Sequence, residues 1–302
     1  MDAVRELGEL AASAGCKVKY GEPMSRHTTF RIGGPADLFL SVPDETALEC
    51  VCGAADRLGV KILPIGNGSN LLVRDEGIRG AVLTLGGAFQ TLSLGKEGRI
   101  RCGAGVPLAE ACAFARDHSL TGLEFAWGIP GAVGGAAYMN AGAYEHAVGE
   151  TVELCEHVSA DGKPGRFSGR DLSWGYRKSP YTDGGAIVTF VTFALRPGSR
   201  SEISARMDDL FARRKSRQPL EMPSAGSVFK RPAGHFAGTL IEQCGLKGRC
   251  VGGAMVSEKH AGFIVNTGGA TCADVHRLIG VIQDTVYKKT GVKLECEVKT
   301  IG

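Results

Sequence analysis

Apolar residues recur every three to four positions along residues 2–14, and again after Asp44, where Leu48, Val51, Ala55 and Leu58 share one side. A third such stretch opens at Pro107 and runs to about His118. This period predicts amphipathic helices, with Asp44 able to accept bonds from first-turn amides and Pro107 placed where no amide is needed. Past residue 198 the period returns with Ile203, Met207, Leu210 and Phe211, and then with Val275, Leu278, Ile279, Ile282 and Val286. Short apolar or alternating runs bounded by Gly, Pro or Asp predict strands over 37–42, 61–65, 81–85, 89–94, 99–102, 152–159 and 186–195, and a closing strand over 292–301. Strands and helices do not alternate strictly, so the expected class is α+β rather than a doubly wound parallel sheet. Arg196-Pro197-Gly198-Ser199 interrupts the pattern and divides residues 1–197 from 198–302.

At 302 residues the chain is long enough for more than one core. A formal net charge of +3 gives no nucleic-acid surface, and the one basic cluster, Arg213-Arg214-Lys215-Ser216-Arg217, reads as a solvated helix end whose cations complement the helix dipole. No secretory signal and no run of membrane-spanning length is visible, so a cytoplasmic location without membrane partners is expected, with no nucleic-acid partner; a monomer is the working expectation, although the sequence itself does not reveal the oligomeric state. The 10 cysteines contain no C-x-x-C pair and are expected to be reduced and mostly in the core. The 7 histidines show no ligand spacing, so no metal is expected, and His260 reads as a hydrogen-bonded structural residue.

Two segments stand out for small residues. One is Gly66-Asn67-Gly68-Ser69-Asn70; the other runs from Trp127 through Gly128, Ile129, Gly131, Gly134, Gly135 and Asn140 to Tyr144 and is nearly free of charge. Glycine reaches positive φ cheaply and lets backbone amides converge on an anion or a flat ring. Neither segment has the Walker spacing or the Rossmann fingerprint. Two separate glycine cradles therefore suggest a large phosphate-bearing ligand held by other means.

Three further segments carry reactive groups. Ser173-Trp174-Gly175-Tyr176-Arg177-Lys178-Ser179-Pro180-Tyr181 puts a guanidinium among aromatics, where it can fork onto a carboxylate. Ser227, with Lys230 and Arg231 close behind, lies in a small-residue loop that lacks the nucleophile-elbow pattern, so its hydroxyl suits a proton donor better than a nucleophile. In the terminal Leu294-Glu295-Cys296-Glu297-Val298-Lys299, strand alternation puts Leu294, Cys296 and Val298 on one face and both glutamates on the other. Period alone does not choose between Glu295 and Glu297.

Taken in order, Phe30-Arg31-Ile32-Gly33-Gly34-Pro35-Ala36-Asp37, Gly66 to Asn70, Gly128-Ile129-Pro130-Gly131 through Asn140-Ala141-Gly142-Ala143-Tyr144, Tyr176-Arg177-Lys178-Ser179, Gly226-Ser227-Val228-Phe229-Lys230 and Leu294 to Val298 resemble the UDP-N-acetylenolpyruvoylglucosamine reductases, flavoenzymes of peptidoglycan precursor synthesis. The likeness runs from about Ser25 to Gly302. It implies an FAD-binding region of the vanillyl-alcohol-oxidase (PCMH) type over 1–197, in lobes of about 1–79 and 80–197, followed by an α+β substrate domain over 198–302. It also implies noncovalent FAD held by Gly66, Asn67, Gly68, Ser69, Asn70, Gly128, Ile129, Gly131, Gly134, Gly135 and Asn140, with Arg31, Ile32 and Gly33 added. NADPH would be the reductant and the enolpyruvyl ether of UDP-N-acetylglucosamine the substrate. By the same resemblance Arg177 and Glu297 attend the substrate carboxylate, Ser227 protonates the enolate carbon, and Tyr176, Lys230 and Arg231 bind substrate. The short passage from Tyr176 to Tyr181 places the chain in the class without a tyrosine loop over the UDP, and Arg231 stands where many members have asparagine.

Overall fold

The computed structural model describes residues 2–302, and these form two compact units. The first contains the chain through Tyr20, Leu38–Asn67 and Gly80–Ala212; the second contains Gly21–Asp37, Gly68–Arg79 and Arg213–Gly302.

The first unit is organised by an antiparallel five-stranded sheet in the order Pro164–Ser168, Val152–Val158, Ile187–Ala194, Arg99–Gly103, Leu92–Leu94. Helices α1 (Ala3–Ser13) and α2 (Glu45–Leu58) contribute Leu7, Leu48 and Val51 to a core that contains Phe190, whereas α3 (Leu108–Asp117) and α4 (Val133–Tyr138) contribute Leu108, Cys112, Val133 and Ala137 to a core that contains Val191 and Phe193. Adjacent residues of one strand thus enter different cores. Both faces of the strand are covered from Ile187 to Phe193, which explains why its burial is nearly continuous, Thr189 included, where an alternating pattern would mark a half-solvated strand.

The helix boundaries follow the sequence chemistry. The Asp44 carboxylate accepts the Ala47 amide at 2.9 Å, and Gly59 at φ +64 ends α2 in the left-handed conformation that favours glycine. Pro107 occupies the N-cap of α3. The segment 89–94 departs from expectation, because Gly87–Gln90 is a 3-10 turn and only Leu92–Leu94 joins the sheet. Gly87, at φ +52, starts this turn against the Pro43 backbone and swings Phe89 fully into the core.

The second unit pairs Ser224–Ser227, Phe263–Asn266, Ala254–Val256 and Cys250–Val251 into an antiparallel sheet, with α6 (Ala237–Gln243) and α7 (Cys272–Thr290) in its core. The apolar stripe of α7 is buried as its period requires. Its first turn is over-determined: the Thr271 hydroxyl accepts the Asp274 amide at 3.1 Å, and the Asp75 carboxylate takes the Cys272 and Ala273 amides at 2.8 and 3.0 Å. Backbone donors together with Arg277 hold the Asp274 carboxyl at a pKa of about 2.

The expected closing strand is mostly absent. Only Lys299–Ile301 is strand, parallel to Leu71–Val73, and before it Leu294 and Val298 are buried while Cys296 is exposed, which breaks the alternation. The cause is a set of bonds to another segment: Lys230 donates to the Glu295 carbonyl at 2.8 Å and Glu297 donates to the Val228 carbonyl at 2.7 Å. The basic cluster does end α5 (Arg200–Arg217), but Arg214 within it is 7% exposed and reaches Gln218, so this cation is not part of a solvated face. All 10 cysteines are free, and burial pushes the Cys52, Cys102, Cys112 and Cys155 thiols up to about 12, outside the range of reactive thiolates. No helix among the described residues is long and apolar enough to cross a membrane.

Candidate functional site

The first cradle follows Ile62–Pro64. Ile65 is buried and its amide is bonded to Leu83, but among the described residues no acceptor takes the amides of Gly66, Asn67, Gly68 or Ser69. Four successive unbonded donors are unusual, since backbone N–H groups away from regular structure normally find a partner or water. Gly68 cannot be replaced here by a residue with a side chain. Its φ is +60, and a Cβ would strike the His27 carbonyl oxygen and approach the Thr28 Cα to 2.8 Å.

Gly66, which with Asn67 belongs to the first unit, approaches the second cradle: a Cβ on Gly66 would lie 3.1 Å from the Ala132 Cβ. Its path is fixed by bonds on either side, with Gly131 accepting the Leu108 amide at 2.8 Å, Val133 donating to Val106 at 2.8 Å and Gly134 donating to Ala104 at 2.9 Å. Gly128, at φ +83, and Gly135 have amides that no acceptor takes among the described residues. The two neighbouring glycines of α4 differ. A Cβ on Gly134 would come within 2.7 Å of the Ala104 Cβ, so this glycine permits close packing, whereas a Cβ on Gly135 would meet nothing within 4 Å. Free amides, an open face at Gly135 and the approach of Gly66 to Ala132 fit a diphosphate joined to a flat ring, which is the chemistry of FAD.

Asn140, at φ +42, is 6% exposed and lies two residues beyond α4. Its Nδ2 donates to the Gly175 carbonyl at 2.8 Å and its Oδ1 accepts the Gly149 amide at 2.9 Å, so the carboxamide that the resemblance assigns to FAD is bonded at both ends to the polypeptide itself. Gly175 and Lys178 exchange backbone bonds of 3.0 and 3.1 Å, which closes a two-residue turn of Tyr176 and Arg177. Arg177 adopts φ +54, its guanidinium lies 5.3 Å from the centre of the exposed Tyr176 ring, and its NH2 group donates to the Gly142 carbonyl at 3.4 Å. Non-glycine residues in this region are strained by about 1–3 kcal/mol and persist where the surroundings over-determine them. Arg31, Asn140, Tyr144 and Arg177 all do so, and all lie on segments singled out from the sequence.

In the second unit, Arg31 (φ +56) follows a turn in which its amide donates to Thr28, and the buried Thr28 hydroxyl donates to the Ile32 carbonyl at 3.0 Å. Ile32 is in the core. A Cβ on Gly33 would lie 2.6 Å from the Val73 Cβ, so both residues are used for packing. The Asn70 amide donates to the Glu297 carbonyl at 3.2 Å, which ties the end of the first cradle to the terminal segment.

Ser227 and Glu297 are brought together by the backbone. Glu297 donates to Val228, the neighbour of Ser227, and Phe229 faces Cys296 in an antiparallel bridge. The Ser227 Oγ donates to the Phe229 carbonyl at 3.2 Å, a long bond for a hydroxyl. Beside them His260 accepts the Gly262 amide at Nδ1 (3.1 Å) and packs edge-on to Phe263, and burial lowers its pKa. Lys230 extends to Glu295 at 3.3 Å, and the Arg231 guanidinium lies 4.1 Å from the centre of the exposed Phe236 ring. Ser179 is visible in the sequence only as the last residue of the Tyr176-Arg177-Lys178-Ser179 motif, with no role attached. It is 2% exposed, its Oγ donates to the Tyr138 carbonyl at 2.8 Å, and it sits at the far shoulder of the Arg177 turn. Among the described residues, no group of His, Cys, Asp or Glu could hold a metal ion.

Comparison with known proteins gives a concordant result. Residues 36–168 match the family described as FAD binding domain, and residues 218–301 match the C-terminal domain of UDP-N-acetylenolpyruvoylglucosamine reductase. The reductase of that name from Limosilactobacillus fermentum is 47% identical over 290 residues, covering 95% of both proteins. The crystal structure of the Thermus caldophilus UDP-N-acetylenolpyruvylglucosamine reductase aligns with a TM-score of 0.83 at 36% identity, over 95% of this chain and 100% of that one. Physcomitrella patens BBE-like 1, with a TM-score of 0.50 and 20% identity over 63% of this chain and 44% of its own, shares the fold alone.

Proposed function

The chain belongs to the UDP-N-acetylenolpyruvoylglucosamine reductase family and is an FAD-dependent oxidoreductase of peptidoglycan precursor synthesis; from that premise we propose that it uses NADPH to reduce UDP-N-acetylglucosamine enolpyruvate to UDP-N-acetylmuramate. The residues fitted to FAD are the cradle amides of Gly66 to Ser69 and of Gly128 and Gly135, which no acceptor takes among the described residues. When bound, FAD supplies the hydride-carrying N5 that the polypeptide lacks.

The protein's own groups have the remaining work. Reduction at the terminal carbon of the enolpyruvyl group leaves negative charge spread from the neighbouring carbon into the carboxylate, and donors placed before the reaction stabilise such charge best. The Arg177 guanidinium forks onto that carboxylate, held by a turn whose strain is already fixed by its neighbours. The Ser227 Oγ gives its proton to the enolate carbon, leaving its weak bond to Phe229. Glu297 attends the same carboxylate, and Lys230 and Arg231 offer cations to the diphosphate of the substrate. The observation that best supports this reading is the backbone bond from Glu297 to Val228, which brings a carboxyl-bearing residue beside the serine from the far end of the chain. Anaerobic mixing tests it. NADPH is expected to bleach the flavin of the holoenzyme, and the enolpyruvyl substrate, in the absence of oxygen, to restore the absorbance; a bleached enzyme that stays bleached contradicts the assignment.

A further inference from the structure

We infer that Asn140 is a positioning residue: its carboxamide sets the Arg177 guanidinium through the backbone of the turn that carries it. The inference rests on the role proposed for Arg177 and goes beyond it.

Gly175 O is the carbonyl that closes the Tyr176-Arg177 turn, and it accepts two bonds, from the Lys178 amide at 3.1 Å and from Asn140 Nδ2 at 2.8 Å. The other end of the carboxamide is fixed in turn by the Gly149 amide at 2.9 Å. Gly149 must be small for this to happen, because a Cβ there would meet the Trp174 ring at 2.5 Å and Asn140 Oδ1 at 3.0 Å. On the opposite shoulder, Ser179 Oγ donates to Tyr138 O at 2.8 Å, and the arginine itself reaches Gly142 O. Tyr138, Asn140 and Gly142 alternate along the strand of chain that leaves α4, so three successive contacts clamp the turn to that segment. The position requires a short side chain that donates at one end and accepts at the other while tolerating φ +42. Asparagine meets all three conditions; aspartate cannot donate, and alanine and leucine meet neither polar demand.

A turn held this way keeps Arg177 in its left-handed conformation before substrate arrives, so the guanidinium need not be ordered during the reaction. Misplacement of a positioned group by about 1 Å costs on the order of 100-fold in rate.

The test uses the full-length holoenzyme and two variants. Asn140→Asp keeps the acceptor and replaces the donor with a repelling oxygen; Asn140→Gly removes the side chain but keeps the backbone conformation accessible. Rapid-reaction rate constants are measured separately for flavin reduction by NADPH and for reoxidation by UDP-N-acetylglucosamine enolpyruvate. The ratio of reoxidation to reduction is expected to fall about 100-fold in both variants. In an Arg177→Ala background, Asn140→Asp is expected to lower that ratio no further, because the group it positions is gone. A fall of undiminished size in the Arg177→Ala background, equal losses in both half-reactions, or variants that no longer retain FAD would each overturn the inference. Failure of the underlying reading has a different signature: the wild-type enzyme is not reoxidised by substrate, or Arg177→Ala is reoxidised at the wild-type rate.

Discussion

Ser227→Ala is expected to slow reoxidation of the reduced flavin by the enolpyruvyl substrate by about 100- to 10,000-fold, the span typical of a positioned proton donor, while flavin reduction by NADPH stays within about threefold of wild type. The reasoning is local. Ser227 Oγ makes one bond, to a carbonyl two residues on, and bears no packing role comparable to the buried Val228 and Phe229 that follow it, so its removal takes away a proton and little else. A serine hydroxyl is a weak acid in water, but an enolate carbon is a strong base, and orientation supplies the difference. Stopped-flow absorbance of the two half-reactions reads both numbers directly. Equal slowing of reduction and reoxidation would assign Ser227 to the fold or to flavin binding.

Gly68→Ala is expected to destabilise the protein by about 2–5 kcal/mol and to abolish retention of FAD, the sum of a left-handed backbone that alanine resists and a steric conflict with fixed backbone. The atoms a Cβ would meet are the His27 carbonyl oxygen and the Thr28 Cα, neither of which can rotate away. Gly135→Ala is the control within the same account. With nothing within 4 Å of its added carbon, it should leave thermal stability within about 1 kcal/mol and act only on the affinity for FAD. Thermal denaturation of the apoprotein, with and without added FAD, separates the two. A Gly68→Ala protein as stable as wild type would remove the steric argument.

The contrast between Gly134 and Gly135 shows where sequence reading stops. Both sit in one small-residue segment and look alike along the chain, yet one exists so that α4 can lie against Ala104 and the other faces open space. Asn140 is similar: its partners, Gly149 and Gly175, are 9 and 35 residues away, so its task appears only after the chain has folded. By contrast, capping by Asp44, the opening of α3 at Pro107 and the buried stripe of α7 were legible because they depend on neighbours within a turn or two. The α+β class was legible for the same reason, from the order of short runs. The closing strand was not, because residues 294–298 bond to 228–230 in an irregular path that an alternating pattern imitates. Period reports the local chain; the bonds that bend it away come from elsewhere.

The most direct measurement is a spectrophotometric titration of the apoprotein with FAD, followed by acid precipitation. If the two glycine cradles seat this dinucleotide, the protein takes up one equivalent, the flavin absorption bands shift and sharpen on binding, and precipitation releases all of the yellow colour to the supernatant. Protein that remains colourless through the titration, with a flavin spectrum unchanged from that of free FAD, would contradict the account.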